Sequence, residues 1–334
     1  MRILLKKREG FLRSQVAILC ICLIVFTVAS ADGAEKKYPN RAIEVIINMA
    51  AGGGADSLFR ITAIHLSKEL GVPIIVVNKG GGGGIPGVLD AMAAKPDGYT
   101  LMKESQSSSS FHIGRKDLAF DPLNRTFICD IALAPYAFYC DTKMPWKTLS
   151  DVAAFIKKEP EKFVWGALGG PSGTTFSQLQ FFDAIGADLE KMKKKMVVYK
   201  GSGPILIAAA GGHVMFGSAA ASAVPPFHQG GKVRVLAVTG DKPVKNLPGV
   251  PSAKDAGYHL TLDMWSGLSG PPNLPAEVVS TIDQAVRNII RYPEFIADLE
   301  KVCSVPSYRD AATVRKMVVE EGKFAVKMRE TMGW

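Results

Sequence analysis

The run Ala42 to Asn48, "AIEVIIN", is short, β-branched and nearly continuous in apolar residues, which predicts a strand buried on both faces. The period then changes. Phe59, Ala63, Leu66 and Leu70 recur at helical spacing while Arg60, Ser67 and Lys68 point away, so a helix follows and Gly71 closes it. "PIIVVN" (Pro73 to Asn78) predicts a second strand, followed by a glycine run from Gly80 to Gly84. The same alternation recurs as "FVWGAL" leads into "GGPSGTTFSQLQFF" (Gly169 to Phe182) and as "MVVYKGSGPILIAAAGG" spans Met196 to Gly212. "HVMFGSAAASAVPPF" and "KVRVLAVTG" add two strands ending in small-residue loops, and "SQSSSS" (Ser105 to Ser110) predicts a loop. Leu274-Pro275 opens a helix carrying Val279, Ile282, Val286 and Ile289, and an amphipathic stretch from Asp310 to Met332 closes the chain. Strand-length runs alternating with helical ones predict an α/β protein with mostly parallel sheets flanked by helices. Changes of texture near Ala134-Pro135 and Gly257-Tyr258 mark candidate crossings between two lobes.

Composition alters this picture mainly at the N-terminus. The 334 residues are 47% apolar and 21% charged, a globular balance that excludes disorder and a multi-span membrane protein. The first 31 residues differ from the rest: Arg2, Lys6, Lys7, Arg8 and Arg13 precede the apolar core "VAILCICLIVFTV", and Ala29 to Ala31 supply small residues for cleavage. That is the three-part pattern of a secretory signal, with an apolar run shorter than the ~20 residues a membrane span needs. Without it the chain holds 35 basic and 30 acidic residues, a net charge of +5. This modest excess suits an anionic small molecule or solubility. Nucleic acid is disfavoured, since the basic cluster Lys191 to Lys195 has no interleaved aromatics. Cys129, Cys140 and Cys303 remain; a Cys129–Cys140 bridge is open on spacing alone, and the absence of CxxC or Cys/His clusters argues against a metal.

The glycine-rich loops carry the candidate chemistry. A Walker-type loop needs Lys and Ser or Thr after its last glycine, whereas Gly54 is followed by Ala55 and Asp56, whose carboxylate would repel phosphate. "GGGADS" also lacks the third glycine of a dinucleotide loop. The same physics serves a smaller anion: glycines let backbone N–H groups approach a carboxylate at helix N-termini, and several such loops at strand ends can face one cleft. Asp56 reads as a helix-start residue that satisfies backbone donors, and alternatively as an acceptor for a ligand hydroxyl or amine. "GGPSGTT" approaches a nucleophile elbow, but its closing Gly173 comes one residue early, so no catalytic residue is assigned. The five histidines are scattered.

The stretches "YPNRAIEVIINMAAGGGADSLFR" (Tyr38 to Arg60), "VVNKGGGGGIPGVLDAMAAKPDGYTLM" (Val76 to Met102), "VVYKGSGPILIAAAGGHVMF" (Val197 to Phe216) and "LAVTGDKPVKNLPGVPSAKDAGY" (Leu236 to Tyr258) resemble the extracytoplasmic solute receptors of tripartite tricarboxylate transporters, the TctC or Bug family. The likeness runs from Tyr38 to the C-terminus. It implies a two-lobed periplasmic binding protein, type II-like, that closes on a small organic carboxylate and hands it to the membrane components of a transporter. It also implies a monomer with no cofactor, no metal and no catalysis. The expected layout is a signal over 1–31, lobe 1 over 32–135, lobe 2 over 136–257, and a return to lobe 1 over 258–334. The resemblance places Ala51, Gly52, Gly53, Gly54 and Asp56 on one lip of the cleft. Gly170, Ser172, Gly173, Thr174, Thr175, Lys200 and Ser202 face them. Three positions depart from the family pattern: Ala50 stands where proline is usual, Gly217 and Ser218 stand where a polar or acidic residue is common, and the loop "ESQSSSS" is serine-rich. Gly217 and Ser218 are carried as ligand-binding candidates shaping the pocket wall. Two rival roles are a ligand-loaded partner of a sensor kinase and a periplasmic enzyme acting on carboxylates; His112 or His213 beside Ser172 would favour the enzyme.

Overall fold

The computed structural model describes residues 37–334 apart from Ala50, Gly53, Gly169 and Thr261, so the expected signal segment lies outside the described residues. Strand β1 (Ile43–Ile47) is buried at every position except the half-buried Glu44, as a β-branched run in the middle of a sheet should be. The helix Gly54–Leu70 returns the chain with Leu58, Phe59, Thr62, Ala63 and Leu66 on its buried face. It stops at Gly71, whose φ of 70° is left-handed and whose amide bonds Ser67 O at 3.1 Å. Strands β2 (Ile74–Asn78) and β3 (Thr100–Glu104) pair in parallel on either side of β1, with Val45 opposite Val76 and Leu101.

The chain then runs through β4 (Thr126–Ala134). After Pro135 it enters β5 (Tyr136–Asp141), which belongs to a second sheet with β6 (Trp165–Leu168), β7 (Met196–Tyr199), β8 (Phe216–Ala220) and β9 (Val233–Val238). It returns to the first sheet as β10 (Met264–Gly270) and β11 (Val305–Asp310). The strand orders are β11-β4-β10-β3-β1-β2 and β7-β6-β8-β5-β9. Both sheets are mixed rather than wholly parallel. In the first, β1 to β4 share one direction and β10 and β11 oppose it. In the second, only β5 runs against the rest. The reason is topological: β5 and β10 are each the first strand after a crossing. A chain that crosses from the C-terminal ends of one sheet enters the other at the facing ends and must run away from them. The C-terminal ends of the shared-direction strands in both sheets therefore lie toward the crossings, where ligands bind in open α/β folds.

The helix Ala311–Met332 ties the two halves. Asp310 caps it, Oδ1 accepting from Thr313 N at 2.8 Å. Its first turns place Val314 and Val318 against Phe127 and Trp265 of the first sheet. Its last turns place Ala325, Met328 and Met332 in the aromatic core of the second lobe, with Phe176, Phe181 and Phe216, and Lys327 reaches Asp183 at 2.6 Å. Cys129, Cys140 and Cys303 are buried free thiols; Cys129 sits in β4 and Cys140 in β5, on different sheets.

Candidate functional site

Where the strand ends of the two sheets meet, a cavity of about 160 Å³ is walled by both lobes. Met49 and Ala55, flanking the first glycine loop, contribute one side. Lys103 of β3 and the following Ser105, Gln106, Ser107 and Phe111 contribute a second. Tyr136 and Met264, the first residues of β5 and β10, come from the crossings, and Pro171, Ser172 and Gly173 come from the second lobe. Three larger depressions lie elsewhere among the described residues. A groove of about 550 Å³ beside β2 carries the exposed cations Arg60 and Lys68 and lies on one lobe alone, one of about 380 Å³ against the helix Ala311–Met332 sets the carboxylates Glu320 and Glu321 beside Arg309 and Lys316, and one of about 340 Å³ behind the crossings has a carboxylate, Asp263, as its buried charge.

Lys103 is the unusual member of this wall. It is 1% exposed, yet its ammonium makes no hydrogen bond or ion pair among the described residues. Burial pushes its pKa down to about 8, against the upward pull of the Glu104 and Asp130 charges. Alternation along β3 turns the next residue, Glu104, to the other face. There Arg125 Nη1 donates to Glu104 Oε2 at 2.9 Å with both side chains fully buried, and Ser108 and Ser269 donate to the same carboxylate. Burial raises the Glu104 pKa, but these partners outweigh it and hold the carboxyl below its usual range. The serine-rich tract predicted as a loop is a turn, and it is buried. Ser110 Oγ donates to Glu321 Oε2 at 2.8 Å, Gln106 Nε2 donates to the Asp263 carbonyl, and Asn48 Nδ2 donates to Ser107 O at 2.8 Å.

The residues singled out from sequence divide around this cavity. Ser172 and Gly173 line it. Ser172 caps the helix Gly173–Ala184, its Oγ accepting from Thr175 N at 3.3 Å and donating to Thr175 Oγ1 at 2.9 Å. At Gly173 a Cβ would overlap the Tyr136 hydroxyl, so the close approach requires glycine. Ala51, Gly52 and Gly54 are exposed beside Met49 and Ala55. Asp56 is buried and fully engaged: Oδ2 accepts from Gly52 N at 2.9 Å and Arg60 Nε at 3.0 Å, and Oδ1 accepts from Asn78 Nδ2 at 2.9 Å. Burial opposes its ionisation, but these bonds outweigh it and keep the pKa low. Its carboxylate holds the loop, and it is not in the cavity wall.

Gly170, left-handed at φ 80°, Thr174 and Thr175 stand behind the wall; Thr175 Oγ1 bridges Leu168 N and O at 3.0 Å each. Lys200 is exposed and Ser202 opens the helix Ser202–Ala210, and neither lines the cavity. Gly217 is buried against Tyr139 and Ile205, and Ser218 Oγ shares a 3.1 Å hydrogen bond with Ser177 Oγ inside the second lobe. Neither histidine bonds Ser172: His112 is buried, its pKa pushed down to about 4 by burial and Arg115, and His213 is exposed. Among the described residues no His, Cys, Asp or Glu cluster is arranged for a metal ion, and no helix is long and apolar enough to cross a membrane.

Lys103, Gln106, Tyr136 and Met264 were not read as site residues from sequence. The available signal was "LMKES": two adjacent charges at the end of an apolar strand, one of which must face a wall.

A family model described as the tripartite tricarboxylate transporter family receptor matches residues 58–333. The chain is 26% identical over 330 residues to the "UPF0065 protein in gbd 5'region" of Cupriavidus necator, covering 98% of each. A solved structure described as a periplasmic transporter is 30% identical, with a TM-score of 0.70 over 88% of this chain and 97% of that one. An R. palustris protein solved with adipate is 23% identical, with a TM-score of 0.71 over 89% and 99%. The fold is thus the two-lobed α/β fold of periplasmic binding proteins.

Proposed function

This chain belongs to the tripartite tricarboxylate transporter receptor family, and from that premise we propose that it is an extracytoplasmic receptor that binds a small organic carboxylate between its lobes and delivers it to the membrane components of a tripartite-type transporter. The observation that carries this reading is the cavity lined by both lobes with one buried, unpaired ammonium in its wall. Closing two lobes on a carboxylate removes bulk water, and the ion pair strengthens in the lower dielectric. The neighbour in fold that was solved with adipate is consistent with an acid as ligand. No reaction belongs to this reading, since the hydroxyl of the elbow-like loop, Ser172, bonds Thr174 and Thr175 and no histidine. Export and removal of residues 1–31 belong to the same proposal.

Thermal-shift measurements against a broad panel of mono-, di- and tricarboxylates test it. At a hundredfold excess over Kd, a true ligand raises the melting temperature by about 5 °C or more. A panel in which no acid moves the transition would sink the proposal.

A further inference from the structure

Among the described residues, the buried ion pairs of the first sheet leave Lys103 without a salt-bridge partner, and the buried carboxylates Asp263 and Glu321 form no ion pair with it. Glu104 is matched by Arg125, and Asp130 by Arg309, whose Nε donates to Asp130 Oδ2 at 2.8 Å and whose Nη2 lies 2.7 Å from the same oxygen as an ion-pair contact. Lys103 feels the charges of both Glu104 and Asp130 but makes no hydrogen bond or ion pair among the described residues. An unpaired ammonium in a dry wall is costly, which is the condition under which an incoming anion contributes most.

The rest of the wall offers no second charge. Its serines are bonded within the protein: Ser105 Oγ to Ser107 Oγ at 3.1 Å, and Ser172 Oγ to the two threonines. Gln106 is held by the Asp263 carbonyl. Among the described residues, the Tyr136 hydroxyl is the other lining group with no hydrogen bond, and it comes from the opposite lobe. Met49, Ala55, Phe111, Pro171 and Met264 supply apolar surface. The volume, about 160 Å³, is well below the ~300–1,000 Å³ of sites for drug-sized ligands.

We propose that Lys103 reads the charge of the ligand: its ammonium pairs directly with the single carboxylate of a short, otherwise apolar monocarboxylic acid, and the Tyr136 hydroxyl donates to the same carboxylate from the other lobe. This rests on the receptor reading above and adds to it the class of acid.

Isothermal titration of the full chain with butyrate, its neutral amide butyramide, succinate and citrate tests the assignment. The wild type is expected to bind butyrate about 30-fold or more tightly than butyramide, and more tightly than succinate or citrate. In Lys103→Met the acid-to-amide ratio collapses toward one. Its ligand-free melting temperature equals or exceeds that of the wild type, because a buried unpaired charge has gone. Tyr136→Phe, which keeps the ring, lowers the ratio several-fold and serves if Lys103→Met does not fold. A ratio that survives Lys103→Met, or a Lys103→Met that folds with a lowered ligand-free melting temperature and an unchanged ratio, assigns Lys103 an internal structural role and overturns the inference. Succinate or citrate binding more tightly than butyrate overturns the monocarboxylate class and leaves the receptor reading standing. Failure of every acid to bind the wild type overturns both.

Discussion

Arg125, just before β4, and Lys103, within β3, are both buried cations, and they do opposite things. Arg125 is neutralised within the protein by Glu104 at 2.9 Å, and that carboxylate is further held by Ser108 and Ser269. Lys103 lines the inter-lobe cavity and, among the described residues, forms no ion pair. The strand alternation that puts neighbouring residues on opposite faces separates a structural ion pair from a site in the space of two residues. A buried cation is thus evidence of a ligand site only when its counter-charge is missing from the fold.

The contrast can be broken first at its structural side. Arg125→Met leaves Glu104 buried without its counter-charge and is expected to cost about 3–5 kcal/mol in urea denaturation. The acid-to-amide preference of any folded Arg125→Met protein should stay as in the wild type. A loss of preference would mean that the two cations act as one unit.

The functional side is sharpened by pH. Unfolded, Lys103 titrates near 10.5; folded, burial brings it to about 8, with Glu104 on its own strand and Asp130 on β4 as the charges around it. Below pH 8 the ammonium is charged in both states, so its burial cost is fully present. Between pH 8 and 10.5 the folded protein has released the proton and the unfolded chain has kept it, so ligand-free stability rises with pH, by about 3 kcal/mol in all. Affinity for a carboxylate falls over the same window. Denaturation curves of the wild type against Lys103→Met across this range should show the rise in the wild type only.

Asp56 gives the smallest effect. Asp56→Ala removes the acceptor of Gly52, Arg60 and Asn78 and is expected to cost about 1.5–3 kcal/mol of stability. Titrations should find its acid-to-amide ratio unchanged, because Asp56 holds the loop without facing the ligand. A shifted ratio would return it to the site.

The fold was legible where a single stretch carries its own signal. The run Ile43–Ile47 and the helix closed by Gly71 follow from residues adjacent in sequence. Ser172 and Gly173 were legible from a glycine motif, although the reason for Gly173, the Tyr136 hydroxyl pressed against it, was not. Lys103 was hidden because a lysine at a strand end ordinarily snorkels to solvent. Its burial depends on β10, which pairs with β3 through Leu268 opposite Lys103, far along the chain. Lys200 was carried in by motif; it follows β7, an edge strand with Val197 and Val198 exposed on it, and does not line this cavity. The proline at 135 was read as a boundary, while the tyrosine after it proved to be part of the wall.

The crossings at Pro135 and before Met264 also set the order in which the chain can fold. The second sheet uses one uninterrupted segment, from Tyr136 to Val238, and can close without any strand from outside it. The first sheet cannot close then: β4 waits for β10 and β11 to fill both its edges, and the helix Ala311–Met332 arrives last of all. Contacts between strands so distant in sequence form slowly. Until β10 arrives, β3 with its two charged residues has an open edge, so the half-made first lobe is the part of the chain most open to wrong strand pairing.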